Sequence, residues 1–183
     1  NNTGDPNIQY RVKTSAGWLL QESVTDKDDN QYKPSIAVDS QDNIHVVWYG
    51  WGWGSNNETN NIQYRMRDST TWLVQESVTD KVQGQESPSI AVDSQDNLHV
   101  VWRGRVSNTG DPNIQYRVKT SAGWLLQESV TDKDKDQYHP SIAVDSQDNI
   151  HVVWFGLGWG DNLSFDNIRY RMRDSIGWQA HEG

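Results

Sequence analysis

The chain has 183 residues, of which 34% are hydrophobic and 22% charged, with ten tryptophans, no cysteine and a formal net charge of −9. This composition excludes disulfides, thiol nucleophiles and cysteine-based metal sites, and the excess of acidic residues argues against nucleic acid as a partner. No apolar run approaches the length of about 20 residues that a membrane-spanning helix needs, so we expect one folded domain with no membrane span.

The first predicted elements are two strands between Ile8 and Val24, joined by a short turn and followed by a polar segment. The first of them carries the motif Asn-Ile-Gln-Tyr. This motif starts at Asn7, Asn61 and Asn113 and recurs as Asn-Ile-Arg-Tyr at Asn167. A regular recurrence of this kind is typical of repeat architectures and decides the interpretation of the whole chain.

The next segment contains a complete unit of four predicted strands, labelled A to D. They are Pro34 to Asp39, Ile44 to Tyr49, Ile62 to Arg67 and Trp72 to Val78. Apolar residues alternate with polar ones in strand C, whereas A and B are apolar on both faces. We therefore expect A and B to be covered on both sides and C and D to be half exposed.

Two further units follow, because Ser-Ile-Ala-Val-Asp-Ser-Gln-Asp-Asn recurs from Ser35, Ser89 and Ser141, each time before His-Val-Val-Trp. Four antiparallel strands in each unit of about 50 residues are typical of a β-propeller blade. The predicted fold is an all-β propeller of four-stranded antiparallel blades, with about three and a half blades per chain. Residues 1–33 form the half blade, and residues 34–87, 88–139 and 140–183 form the three blades.

Three and a half blades do not close a ring of the usual 4 to 8 blades. Either copies of the chain associate to complete one ring, or the sequence belongs to a longer array of repeats. Two copies supply enough strands for seven blades, although strands C and D then outnumber A and B. We expect a homo-oligomer that completes the ring.

The Pro-Ser-Ile-Ala-Val-Asp-Ser segment, the His-Val-Val-Trp strand and the turn that ends in Trp together resemble blades of sialidase-like propellers with Asp-box (BNR-type) repeats. The likeness covers nearly the whole chain. Turns ending at Trp18, Trp72 and Trp178 keep the tryptophan of that box without its full Ser-x-Asp-x-Gly pattern. The resemblance thus implies the fold and the order of strands, and leaves sialidase chemistry in doubt.

Irregular sequence is concentrated in the B-to-C and D-to-A loops, which share one end of an antiparallel blade. Indole rings among glycines can stack on sugars while nearby polar groups bind hydroxyls. The candidate sugar-binding residues are Tyr32, Trp51, Trp53, Asn56, Arg103, Arg105, Tyr138, Trp159 and Asp161. The alternative is that these tryptophans pack as structural plugs over the blades or between subunits.

Two repeated polar positions are interpreted as structural. His45, His99 and His151 fall in different blades, too far apart to share a metal, and we expect hydrogen-bonded interior imidazoles. The aspartates of the A-to-B turns, Asp39, Asp93 and Asp145 with Asp42, Asp96 and Asp148, lack EF-hand spacing and are expected to hold their turns. We predict no metal site and no cofactor.

Near-identical units do not bring together the unlike groups that catalysis needs, whereas repeated weak sites favour multivalent binding. The sequence therefore predicts a non-enzymatic, multivalent glycan-binding propeller, extracellular or at a cell surface. A protein-interaction or assembly scaffold without a small ligand and a degenerate sialidase-like glycosidase are the alternatives.

Overall fold

The computed structural model describes residues 4–107, 110–158 and 166–181, which form strands, turns and bends without any helix. No helix long and apolar enough to cross a membrane is therefore found in these ranges. The strands described are β1 Gln9–Tyr10, β2 Lys13–Thr14, β3 Gly17–Trp18, β4 Glu22–Ser23, β5 Gln31–Val38, β6 Ile44–Gly50, β7 Asn61–Arg67, β8 Glu76–Ser77, β9 Gln85–Val92, β10 Leu98–Gly104, β11 Asn113–Thr120, β12 Gly123–Trp124, β13 Glu128–Ser129, β14 Gln137–Val144, β15 Ile150–Gly156 and β16 Asn167–Arg173.

These strands form a series of antiparallel sheets in chain order. The first sheet has the order β5-β6-β7-β8, the second is built on β9-β10-β11 with β12 and β13 both paired to β11, and the third is β14-β15-β16. Two small ribbons, β1 with β4 and β2 with β3, precede them. The structure thus confirms an all-β protein of repeated antiparallel sheets.

The first strand of each sheet begins three residues earlier than predicted, because a bulge precedes its proline. The register shifts between Tyr32 and Ser35, and Lys33 within this bulge has a positive φ of 46°. Equivalent bulges contain Ser87 and His139, with φ of 54° and 45°. A bulge lets the strand continue past a proline that has no N–H to donate to the ladder.

The hydrophobic core lies between consecutive sheets. Val47 and Ile62 of the first sheet pack with Ile90, Leu98 and Val100 of the second in one buried cluster. A corresponding cluster joins the second and third sheets. Strands β5 and β9 contact each other, as do β9 and β14, so the first strands of successive sheets lie side by side.

The same polar contacts join each sheet to the next, and we call this set the inter-sheet clasp. In the turn between the first two strands, Ser40 donates its N–H and Oγ–H to the two carboxylate oxygens of Asp96, at 2.8 and 2.7 Å. Ser94 binds Asp148 in the same way. Near the fourth strands, Glu22 accepts from the indole N–H of Trp72 at 3.0 Å, and the pairs Glu76 with Trp124 and Glu128 with Trp178 repeat this contact.

The burial of each strand depends on its place in the series of sheets. This corrects the prediction that strands A and B are covered on both sides and strands C and D are half exposed. Ile36 of β5 is 55% exposed, although its equivalent Ile90 of β9 is only 5% exposed. The start of β7, expected to be half exposed, is buried from Asn61 to Tyr64 because the next sheet packs against it. Burial therefore depends on whether a neighbouring sheet is present.

Candidate functional site

The irregular connections meet at one end of the sheets, which we call the loop end. The pairing of Gln31 with Gly50 places the start of β5 beside the end of β6, so the connection before β5 and the connection after β6 are adjacent. The same pairing occurs between Gln85 and Gly104 and between Gln137 and Gly156. This juxtaposition is what the antiparallel order of the predicted strands requires.

A buried glutamine supports the loop end of each sheet. The side-chain oxygen of Gln85 accepts from the indole N–H of Trp102 at 2.7 Å, and its amide donates to the backbone carbonyls of Gln83 and Arg105 at 2.9 and 3.0 Å. Gln31 with Trp48 and Gln137 with Trp154 make the equivalent bonds.

A glycine faces each of these amides, and a Cβ at Gly104 would collide with the side chain of Gln85. The sequence analysis did not identify these glutamines. Their recurrence was the available signal, since each stands three residues before Pro34, Pro88 or Pro140. A buried amide that holds two loop backbones makes each loop end a rigid platform.

Two of the predicted sugar-binding residues are engaged in the structure of their own loop. The indole N–H of Trp53 donates to Gln31 at 2.7 Å, its ring packs edge-on against Trp48, and the Lys27 ammonium lies 4.4 Å from the ring centroid. Asn56 donates its backbone N–H and its side-chain amide to Asp80 at 2.8 and 2.9 Å. Trp53 is therefore packed into the loop, as the structural alternative for the tryptophans expected.

Trp51 and Tyr32, in contrast, lie at the surface. Tyr32 is in β5, and Trp51 directly follows β6, the strand that pairs with β5. Trp51 is 50% exposed, and Tyr32 contacts Tyr49 with ring centroids 5.6 Å apart. These three rings line a hollow of about 300 Å³. The polar residues that complete its lining are Asp5, Asp28, Asp29, Asn30 and Asn60. We call this the aromatic hollow.

The wall of the aromatic hollow contains acceptors that the described part of the chain leaves unpaired. The side-chain oxygens of Asn30 and Asn60 are buried and make no hydrogen bond there. Burial and the nearby Glu86 carboxylate raise the pKa of the Tyr49 hydroxyl, so this group stays a neutral hydrogen-bond donor at ordinary pH. A buried polar atom without a partner is a position at which a ligand or ordered water supplies the missing bond.

The equivalent position of the second sheet has different chemistry. Glu86, Arg103 and Arg105 replace Tyr32, Tyr49 and Trp51, and they line a hollow of about 390 Å³. Arg103 Nη1 lies 3.4 Å from the Glu86 carboxylate and Nη2 lies 3.3 Å from Asp136. We call this the arginine hollow.

The structure brings the predicted residues Arg103 and Tyr138 together, at the boundary between the second and third sheets. The Arg103 guanidinium lies 4.8 Å from the centroid of the Tyr138 ring, and the Tyr138 hydroxyl donates to Asp136 at 2.6 Å. That hydrogen bond raises the pKa of Tyr138. The predicted residues Trp159 and Asp161 lie outside the described residues.

The three bulges place Lys33, Ser87 and His139 on neighbouring first strands. Lys33 Nζ donates to Ser87 Oγ at 3.1 Å, which links the first sheet to the second. His139 stacks on Phe155 at 5.6 Å, and burial, with Lys33 and Arg103 nearby, lowers the pKa of its imidazole. The strained backbone at these positions therefore presents a different side chain from each sheet.

The repeated histidines form polar relays at the opposite end of the sheets, which we call the turn end. His99 Nε2 donates to Asp93 at 3.0 Å and Nδ1 accepts from the Tyr116 hydroxyl at 2.7 Å. His45 with Asp39 and Tyr64, and His151 with Asp145 and Tyr170, repeat this geometry. The prediction of hydrogen-bonded imidazoles in separate sheets agrees with these contacts.

Asp39, Asp93 and Asp145 hold their own turns as predicted, whereas the carboxylates of Asp96 and Asp148 bind the turn of the preceding sheet instead. Asp93 Oδ1 accepts the N–H groups of Gln95 and Asn97 at 2.9 and 2.8 Å. Within the ranges that the structure describes, no group of three or more His, Asp or Glu side chains is arranged to hold a metal ion. A hollow of about 440 Å³ lies at this turn end and includes Tyr64, Glu76 and Lys119 in its lining.

Comparison with known proteins gives a likeness of fold. No protein-family model matches the chain, and no curated protein matches it in sequence. Among solved structures, the chain is similar to the Hadza microbial sialidase Hz136, with a TM-score of 0.55 over 80% of this chain and 9% identical residues. The aligned part makes up 42% of the sialidase chain. At this identity the similarity concerns the fold alone, and the fold of this chain resembles that of a microbial sialidase over most of its length.

Proposed function

We propose that the chain is a β-propeller, or part of one, that binds glycans through hollows at its loop end and does not cleave them. Three features support the propeller: repeated antiparallel sheets, first strands that lie side by side, and the likeness to a sialidase fold. The blades then coincide with residues 34–87, 88–139 and 140–183, and residues 1–33 form the half blade. Glycan binding suits a protein that is extracellular or at a cell surface.

The aromatic hollow is the observation that carries the glycan proposal. Trp51, Tyr32 and Tyr49 offer ring faces, and the apolar face of a sugar ring stacks on such surfaces. The carboxylates of Asp28 and Asp29 beside these rings can accept hydrogen bonds from the sugar hydroxyls. Ligand sites combine apolar walls with a few placed polar groups in the same way.

The arginine hollow provides a second contact of different character. Arg103 and Arg105 can donate to sugar hydroxyls, and Glu86 can accept from them. Two hollows on adjacent sheets can engage one branched or repeated glycan, and their combined affinity then exceeds that of either hollow. The binding is multivalent, but its sites are not copies of each other.

The arginines of the third strands give the reason for proposing binding without catalysis. Arg65 Nη1 donates to the Val24 carbonyl at 2.6 Å and Nε donates to the Leu73 carbonyl at 2.7 Å. Arg117 and Arg171 make the equivalent bonds. A guanidinium whose Nε and Nη1 both donate to backbone carbonyls holds sheets together. It is not directed into a site where it could bind a substrate.

Binding to an immobilised glycan array tests the proposal. We expect Trp51→Ala to weaken binding about five- to thirtyfold, because it removes a stacking surface worth roughly 1 to 2 kcal/mol. Val74→Ala is the matched control, since Val74 is 87% exposed and distant in sequence from the loop-end residues. An array without any bound glycan, or equal binding by the Trp51→Ala variant, would contradict the proposal.

An assembly scaffold without a small ligand is the second candidate, and the packing of Trp53 favours it. If the loop end only contacts protein, both the arrays and the Trp51→Ala variant show no glycan effect. The degenerate glycosidase is tested separately with a fluorogenic sialoside. We expect no hydrolysis above the buffer rate. Enzymatic release of the fluorophore would instead support the glycosidase.

A further inference from the structure

The first sheet has an unfilled place beside its first strand. The half blade contributes Glu22 and Val24 to the clasp with the first sheet, just as Glu76 and Val78 contribute to the clasp with the second. The half blade therefore occupies the position of the third and fourth strands of a sheet. In the described part of the chain no first and second strands accompany them, and Ile36 and Val38 of β5 are consequently 55% and 51% exposed.

The third sheet has an uncovered face at the other end of the series. Val153 of β15 is 42% exposed, whereas its equivalents Val47 and Val101 are completely buried by the next sheet. Ile168 of β16 is 73% exposed, although its equivalents Ile62 and Ile114 are completely buried. The two ends thus expose the two opposite faces of one repeated interface.

The polar parts of the inter-sheet clasp are complementary at these two ends. Asp42 corresponds to Asp96 and Asp148, but its carboxylate has no partner among the residues described. Ser146 corresponds to Ser40 and Ser94, and among the described residues its Oγ meets only the neighbouring Gln147 side-chain amide, at 2.6 Å. One end therefore presents the acceptor of the clasp and the other end presents the donor.

The half blade also carries a third-strand motif that lacks a second strand to pair with. Tyr64, Tyr116 and Tyr170 each hydrogen-bond the histidine of the adjacent second strand. Tyr10 is the equivalent tyrosine, and β1 pairs only with β4 in the described structure. The chain contains four such tyrosines and three such histidines, so one third strand is in excess.

We propose that a second copy of the chain fills the unfilled place by exchanging strands. Strands β14 and β15 of one copy insert beside β5 of the other copy, and β1 of that other copy pairs with β15 in place of β16. Ser146 then donates to Asp42 of the second copy, and Tyr10 of the second copy hydrogen-bonds His151. Ile36 and Val153 become buried, as their equivalents Ile90 and Val101 already are, and Val38 becomes partly buried like Val92.

The exchanged strand fits the clasp of the second sheet. In the single chain, Glu128 accepts from the indole N–H of Trp178 at 2.9 Å and lies 3.4 Å from Arg173. Trp18 and Lys13 of the incoming half blade carry the same chemistry as Trp124 and Lys119, which bind Glu76. Trp18 is 58% exposed in the single chain, so the exchange also covers this ring.

Reciprocal exchange rests on the circular arrangement of sheets in the proposed propeller, but not on glycan binding. Each copy then contributes two complete sheets, and the copies share two more. This arrangement covers both ends of the series at once. Without exchange, β16 already occupies the edge of β15 with which the half blade of the second copy would have to pair. The two copies could then not approach closely, and the faces of β5 and β15 would stay uncovered.

The mass of the 183-residue polypeptide in solution tests the association by analytical ultracentrifugation. We expect a species of twice 21.0 kDa that dissociates only on dilution. A single chain at every concentration up to about 100 µM would overturn the proposal. Glycan arrays on the same samples separate this outcome from failure of the proposed function.

A matched pair of tyrosine variants tests the exchange itself. Tyr10→Phe should raise the dimer dissociation constant about tenfold, because it removes a buried hydrogen bond to His151 at each shared sheet. Tyr170→Phe should leave that constant unchanged or lower it, since β16 is displaced in the dimer. The reverse order of effects would overturn the exchange. Circular dichroism confirms that both variants are folded.

Asp42→Gly tests the clasp in the same assay, and glycine is chosen because position 42 has a positive φ of 62°. It should weaken the dimer while leaving the circular dichroism of the single chain unchanged, because Asp42 has no carboxylate partner within the described chain. A dimer as tight as that of the parent chain would show that Ser146 and Asp42 do not meet.

Discussion

At the residue scale, the loop end depends on one buried amide in each sheet. Gln85 is completely buried and saturates the indole N–H of Trp102 and two backbone carbonyls with a single side chain. Unpaired buried polar groups cost about 1 to 3 kcal/mol each, so this glutamine has more influence on stability than its polarity suggests.

Gln85→Ala should therefore lower the free energy of unfolding by about 3 kcal/mol, because it leaves the Trp102 N–H and two carbonyls without partners. Urea denaturation followed by tryptophan fluorescence measures the change. Gln21→Ala is the control, since Gln21 is exposed and its side chain donates to the exposed Gln9. It should alter stability by less than about 0.5 kcal/mol. Similar values for both variants would refute the role of the buried amide.

The relay histidines make stability depend on pH. Burial lowers the pKa of His99 below its ordinary value of 6.5, although the hydrogen bond to Asp93 opposes this shift. As pH falls below 6.5 the unfolded chain takes up a proton that the folded chain does not, so the free energy of unfolding decreases. His45 acts in the same direction, again because of burial.

Urea denaturation between pH 7.5 and pH 5, both about one unit or more from the ordinary histidine pKa, measures this dependence. The His99→Gln variant should be less stable at pH 7.5 and should show a shallower decline, because one of the protonating groups is gone. An unchanged slope of stability against pH would mean that His99 does not contribute.

At the element scale, each first turn has two aspartates with separate tasks. Asp93 closes its own turn through Gln95 and Asn97, whereas Asp96, with a positive φ of 60°, reaches the turn of the preceding sheet. The bonds from Ser40 lower the pKa of Asp96. One turn thus stabilises both its own hairpin and the packing of two sheets.

A double-mutant cycle measures the second task. Asp96→Gly and Ser40→Ala should each lower the urea midpoint, even though glycine relieves the positive φ at position 96. The double variant should be less destabilised than the sum of the two single variants, since both remove the same contact. Strict additivity would show that the two side chains do not interact in solution.

The elements also show which features local patterning can predict. The second strand was expected at Ile44 to Tyr49 and is observed at Ile44–Gly50, because apolar residues on both faces mark a strand buried between neighbours. The first strand was expected at Pro34 and starts at Gln31, since the bulge around Lys33 cannot be read from alternation. The fourth strand is short, with only Glu76–Ser77 and a bridge at Trp72.

At the scale of the whole molecule, stability depends on position in the series of sheets. Ile114 and Ile168 occupy the same place in β11 and β16, but Ile114 is completely buried and Ile168 is 73% exposed. In a series of repeats each unit is stabilised by its nearest neighbours. Identical residues at equivalent positions therefore contribute differently to the free energy of unfolding.

Ile114→Ala should lower the free energy of unfolding by about 2 to 5 kcal/mol, because it leaves a cavity between two sheets. Ile168→Ala should change it by less than about 0.5 kcal/mol. Chemical denaturation of the two variants gives the comparison directly. Equal destabilisation would show that the face of the third sheet is covered in solution by something that contacts Ile168.

Seven of the nine candidate residues lie in the described ranges, and the structure brings only some of them together. The arrangement of Trp51 with Tyr32 follows from the antiparallel order of strands within one sheet, whereas that of Arg103 with Tyr138 follows from the packing of two sheets. The engagement of Trp53 and Asn56 within their own loop depends on Gln31 and Asp80, which are distant in the sequence. Local composition identifies aromatic and polar loops, but it does not distinguish a ring that binds from a ring that packs.

The sequence alone determined the all-β class, the repeat and the positions of the turns, because period-two alternation and turn chemistry are local properties of the chain. Only the tertiary structure decided which face of each sheet is covered, which tryptophan is exposed and which polar groups are already paired. Those properties arise from contacts between units, and near-identical units acquire different environments when one of them has a neighbour and another does not.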